Sequence, residues 1–138
     1  MTCMPDASFA VYYRRAVQLA NAMRLCRDDL SAYASAAALL AVHSAISYSD
    51  AVLIGLIGKR PRGEDHRHAV IALKRACAGA RIDQRGISHL QLLMSVKTDI
   101  SYGDQLIDNV RIEALCNAAE RFQTWADRVL AKQEGRLS

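Results

Sequence analysis

The chain has 138 residues, 51% hydrophobic and 23% charged, with 18 basic side chains against 14 acidic ones for a net charge of +4. That length allows one domain, and the balance is too apolar for a disordered tail and too interrupted by charge for a membrane protein. Alanine takes 23 positions and proline only 2, at Pro5 and Pro61, which points to helices; the absence of a phosphate-binding glycine loop or strand–helix alternation argues against nucleotide folds of the Rossmann or P-loop type.

The first helix is predicted from about Asp6 to Cys26, opening just after Pro5. Phe9, Tyr12, Ala16, Leu19 and Met23 recur at steps of three and four and define its apolar face. After a break at Arg27-Asp28-Asp29, Ser31 is a suitable cap for a second helix running to about Ile57. Its stretch from 34 to 57 is long enough to cross a bilayer, but Asp50 near the centre would cost a few kcal/mol there, so a buried central helix of a soluble bundle is expected instead. Gly58-Lys59-Arg60-Pro61-Arg62-Gly63 reads as a loop. Asp65 is a plausible cap for a third helix to about Ala80, with Val70, Leu73, Ala76, Cys77 and Ala80 on one side. Gly86 precedes a fourth helix, about Ile87 to Ile100, carrying Leu90, Leu93 and Met94. The last helix, about Ile107 to Lys132, has the stripe Val110, Ala114, Ala118, Phe122, Trp125 and Val129. Five helices, each with one apolar face and short connections, predict an all-α, antiparallel up-and-down bundle with the alanine-rich second helix at its centre.

The charge is unevenly spread. Residues 59 to 85 hold eight bases (Lys59, Arg60, Arg62, Arg67, Lys74, Arg75, Arg81, Arg85) and three acids (Glu64, Asp65, Asp83), a net of +5, which leaves −1 for the rest. A basic patch centred on Lys59, Arg60, Arg62 and Arg67 suits an anionic partner. The four cysteines lie far apart with no CxxC pair, and Cys26, Cys77 and Cys116 fall inside helical patterns, where a thiol behaves as a small hydrophobe. The first residues lack a basic start followed by an apolar run, so a reduced, cytoplasmic protein without disulfides is the expectation.

Polar residues interrupt the predicted apolar faces. On the second helix the stripe reads Leu39, His43, Ile46, Asp50, Leu53, Ile57; His66 opens the third helix on its inner side; Lys97 closes the stripe Ile87, Leu90, Met94 on the fourth. Buried charges are rare unless paired, so Asp50 and Lys97 are expected to pair, with His66 or Tyr102 nearby; together with His43 these residues make a candidate binding pocket or a clasp that sets helix register. His66 and His68 point about 200° apart on a helix and make a poor metal pair, so no metal or cofactor is expected. Nucleophile-elbow spacing is absent, which excludes a serine hydrolase of that type. Phe122 and Trp125 read as core.

The order and spacing of four segments resemble the HEPN family of small helical bundles over about residues 5 to 131: His43-Ser44-Ala45-Ile46-Ser47 through Asp50-Ala51, Gly63-Glu64-Asp65-His66, Leu92-Leu93 through Lys97 to Tyr102-Gly103, and Ala119-Glu120-Arg121-Phe122 with Trp125-Ala126. The resemblance implies a helical homodimer with a link to RNA or nucleotides; many members are metal-independent ribonucleases or toxins, paired with an antitoxin or beside a small nucleotidyltransferase, and others are inactive binding domains. Active members carry Arg, four to six residues and His near the start of a late helix. Here that region reads Lys97-Thr98-Asp99-Ile100-Ser101-Tyr102, with Lys for Arg and Tyr for His. Lys lacks the guanidinium fork, and Tyr is a poor base at neutral pH. Arg60 to His66 and Arg62 to His68 satisfy the spacing, but in the loop before the third helix. The leading expectation is a dimeric module binding RNA, a nucleotide or a partner protein without standard nuclease activity. The alternatives are a ribonuclease toxin using His66 with Arg60 or Arg62, and a purely structural interaction module.

Overall fold

The computed structural model describes the backbone of residues 5–60, 66–103 and 107–137, and side chains within 9–60, 68–97, 99–100, 103 and 107–133. Among the described residues the fold is an all-α bundle of five helices: α1 (Pro5–Arg27), α2 (Leu30–Ile57), α3 (His66–Gly79), α4 (Ile87–Tyr102) and α5 (Asn109–Leu137). Consecutive helices pack on each other, and α1 also packs on α5.

The junction of α1 and α2 departs from expectation in detail. Asp29, not Ser31, occupies the cap position, and its side chain makes no cap bond. Ser31 lies inside the helix and donates its hydroxyl to Asp29 Oδ1 at 2.7 Å. Tyr33 (φ −129°, ψ 23°) then kinks the first turn. The proposed cap Asp65 lies outside the described residues. Gly58 ends α2 in the left-handed region (φ 75°), donating its N–H to Ile54 O at 2.9 Å; an L side chain is strained there, so glycine suits the stop.

Helix α2 is the central helix, touching all four others. It is the one described helix long and apolar enough to cross a membrane, and 61% of its most apolar window is buried by the bundle. Small side chains make this packing possible: Ala37, Ala38, Ala41, Ala45 and Ala51 are all buried, as are Ser44, Ser47 and Ser49. The stripe expected on α2 is out of phase with the observed one. His43 and Ile57 are exposed, and Asp50 is half-buried. A helix covered on several sides is apolar around most of its circumference, so periodicity carries little phase information. On α5, Val110 and Ala114 are exposed, whereas Ala118, Phe122, Trp125 and Val129 are buried as expected. The expected faces of α3 and α4 hold at Val70, Leu73, Cys77, Leu90 and Leu93. Burial pushes the Cys77 thiol up to about 11, which keeps it protonated and unreactive.

A polar seam joins α1 to α5. Glu120 receives Arg24 Nε at 2.9 Å and an Arg27 terminal nitrogen at 2.6 Å. Arg27 also donates to Asn117 and Arg24 to Gln123, whose amide donates to the Tyr48 hydroxyl at 2.9 Å. Tyr13 donates to Asp127 at 3.0 Å and meets Tyr48 edge-on. This seam helps to fix the register of α1 against α5, because each of its polar pairs forms at one relative position of the two helices. By contrast, the Ser49 hydroxyl, 1% exposed, has no hydrogen-bond partner among the described residues. Ser49→Ala removes a desolvated hydroxyl and adds a better helix former, so it should raise stability by about 1 kcal/mol. Urea unfolding of the two proteins measures this as a higher midpoint at unchanged m-value; an equal or lower midpoint contradicts it.

Candidate anion-binding groove

The glycine stop at 58 turns the chain sharply away from α2 and delivers Lys59 and Arg60 to the surface. Beside them lies the outer face of α3. Ile71, Ala72 and Arg75 fall three, four and seven residues after His68, so the four share one side of the helix, opposite the core side of Leu73 and Cys77. Between these elements opens a groove of about 450 Å³ lined by Ile57, Lys59, Arg60, His68, Ile71, Ala72 and Arg75. Lys59, Arg60, Arg75 and the His68 imidazole line it, and among the described lining residues there is no carboxylate. Its walls include Ile57 and Ile71, 46% and 48% exposed.

Behind the groove stands a second layer. The Arg60 guanidinium carbon lies 4.7 Å from the Tyr12 ring centroid and that of Arg15 lies 5.2 Å from it, both at cation–π distance. Asp50 has the same two arginines as its charged neighbours. Burial raises its carboxyl to about 6, a rise that the arginines oppose without cancelling.

The expected pocket is thus divided. Asp50 faces Arg15 and Arg60, while Lys97 lies near His43, and no ion pair joins Asp50 to Lys97. His43 sits at the exposed rim, lowered from its ordinary value first by partial burial and then by the Lys97 ammonium. The physical cause of the missed pairing is axial separation: His43 and Asp50 are two turns apart, about 10 Å along the axis of α2, and meet different neighbours. Arg62 lies outside the described residues. His66 opens α3 and Tyr102 closes α4, but their side chains and that of Arg67 also lie outside the description. Of the expected basic patch, Lys59 and Arg60 line the groove. Sequence reasoning missed Tyr12 and Arg15 as members of this region, and it named His68 and Arg75 without placing them in a groove. The signal for the last two was available in the exposed stripe of α3; the contribution of α1 was not, because it depends on how α1 crosses α2.

The arrangement suits an anion flanked by an apolar group. Arginine can hold phosphate oxygens with two parallel N–H bonds, lysine adds a point charge, and the isoleucines offer a surface for a base or sugar. Among the described residues no group of three or more His, Cys, Asp or Glu side chains is placed to hold a metal ion. No protein-family model matches the chain, and no curated protein matches it.

Proposed function

We propose that this chain is a HEPN-like bundle that binds RNA or a nucleotide in the groove between the end of α2 and α3, without the standard nuclease chemistry of that family. The observation that carries the reading is the convergence of Lys59, Arg60, Arg75 and His68 on one groove with half-exposed isoleucine walls. The groove volume of about 450 Å³ falls within the range of about 300–1,000 Å³ that holds small organic ligands.

Fluorescence polarisation with a labelled single-stranded ribo-oligonucleotide tests it. With three phosphates neutralised, raising the salt from about 50 to about 200 mM should weaken binding about 20-fold. Lys59→Gln with Arg75→Gln should remove most of the affinity and flatten the salt dependence. Binding that ignores both salt and these changes would refute the reading. The same RNA should stay intact in EDTA; cleavage lost in His66→Ala would instead support the ribonuclease alternative.

A partner protein is the second reading. Ile71 also borders an adjoining groove of about 360 Å³ with Val70, Lys74, Gln91, Met94 and Ser95, so an apolar strip continues from one groove to the next. A homodimer seated there should dissociate in Ile71→Lys, read by sedimentation velocity.

A further inference from the structure

We infer that a second cationic groove, which shares no lining residue with the one above, binds a phosphate group. It is formed where residues 81–85 pass the C-terminal half of α5, and Arg81, Asp83, Arg85, Trp125, Arg128 and Lys132 line it. Four cations surround a single carboxylate. Asp83 is already engaged by Arg85, through its N–H at 3.0 Å and Nε at 2.9 Å. Arg81 and Arg128 have no ion pair among the described residues, so among those residues positive charge exceeds negative around the cavity.

The connecting loop is built rather than loose. At the end of α3, Ile82 N–H donates to Cys77 O at 2.8 Å and Arg81 N–H to Ala78 O at 3.2 Å, the two bonds of a Schellman stop. The residue that donates the second of these bonds adopts the left-handed conformation, at a position that strongly favours glycine. Here it is Arg81, at φ 57°. The Trp125 indole N–H donates to Asp83 O at 2.9 Å and ties the loop to α5. A strained arginine is therefore held in a fixed place beside Arg128 and Lys132. Strain of this kind persists where the surroundings over-determine it, and it concentrates at ligand sites; a pre-organised site loses less freedom on binding. The cavity, about 240 Å³, is smaller than the range of about 300–1,000 Å³ that holds small organic ligands. Trp125 is buried, so no ring face is offered to a base. Both facts select a phosphate group over a whole nucleotide.

Trp125 is the one tryptophan of the chain and lines the groove, so its fluorescence reports occupancy directly. Inorganic pyrophosphate and a 5′-phosphorylated ribo-oligonucleotide are titrated separately. A saturable change with pyrophosphate identifies a free phosphate ligand; a change with the oligonucleotide alone identifies a nucleic-acid phosphate. Arg128→Gln with Lys132→Gln should weaken the response at least 10-fold, with helicity by circular dichroism unchanged. Arg81→Gly should weaken it as well while raising the melting temperature by a few degrees, because it removes both the guanidinium and the strain. Absence of a saturable change with either probe overturns the inference. So does a response that survives the α5 double substitution, or one lost in Lys59→Gln with Arg75→Gln, which would place the ligand in the first groove.

Discussion

Gly86→Ala should destabilise the protein by about 2–3 kcal/mol, a large loss for one methyl group. A Cβ at this position would lie 2.1 Å from Trp125 Cγ, 2.5 Å from Cδ2 and 2.6 Å from Cβ. The backbone there is ordinary right-handed (φ −67°, ψ −21°), so alanine introduces no conformational strain of its own. The cost is steric, and the indole has little room to yield. Its Nε1 is bonded to Asp83 O, and its ring stacks on Phe122 with centroids 5.4 Å apart. Shifting the ring breaks one contact or the other. Thermal unfolding should show a melting temperature lower by about 10 °C, accompanied by an altered tryptophan emission. Unchanged values on both readouts would mean that α4 can move away from α5 at no cost.

The second large effect is expected at Asp50. Its carboxyl is raised to about 6 in the folded protein, chiefly by burial, against about 3.9 in an unfolded chain. Between these values the folded state holds more protons than the unfolded one, so stability falls as pH rises through that window. Above pH 6 the penalty is complete; below about pH 4 both states are protonated and it vanishes. Two pK units correspond to nearly 3 kcal/mol, and the remaining solvent contact reduces this to about 1–2 kcal/mol. Asp50→Asn should therefore stabilise the protein by about 1–2 kcal/mol at pH 7 and change little below about pH 4. Chemical unfolding at both pH values reads this directly. A destabilised Asn variant at pH 7 would show that the attraction of Arg15 and Arg60 for the carboxylate outweighs its desolvation, and would invert the sign.

The two substitutions probe different kinds of legibility. Gly86 reads in the sequence as a helix boundary, which it is, but nothing in the sequence says that an indole 39 residues further on lies against it. Asp50 stands out in the sequence as a charge in an apolar segment, and that oddity is real. Its partners were misjudged: Lys97 was expected, whereas α1 and the residues after Gly58 supply Arg15 and Arg60. A periodic pattern identifies a partner only if the helix has a single apolar face. Helix α2 packs against four neighbours, so its apolar residues fit more than one rotation. The polar seam of Arg24, Arg27 and Glu120 was equally hidden, because each of these residues looks like ordinary helix surface until α1 and α5 are placed side by side.

What the sequence by itself determined is the set of helices and the location of the charge. Alanine abundance, periodic apolar spacing, glycine breaks and the +5 block from 59 to 85 are local properties, readable wherever the chain is cut. Tertiary structure alone decided which cations converge. The block is split by the path of α3 into one groove with Lys59, Arg60 and Arg75 and another with Arg81 and Arg85, and the second is completed by Arg128 and Lys132 from α5. Charge along a chain adds up residue by residue, but the field that a ligand meets depends on distances between side chains, and those are set by how the helices cross.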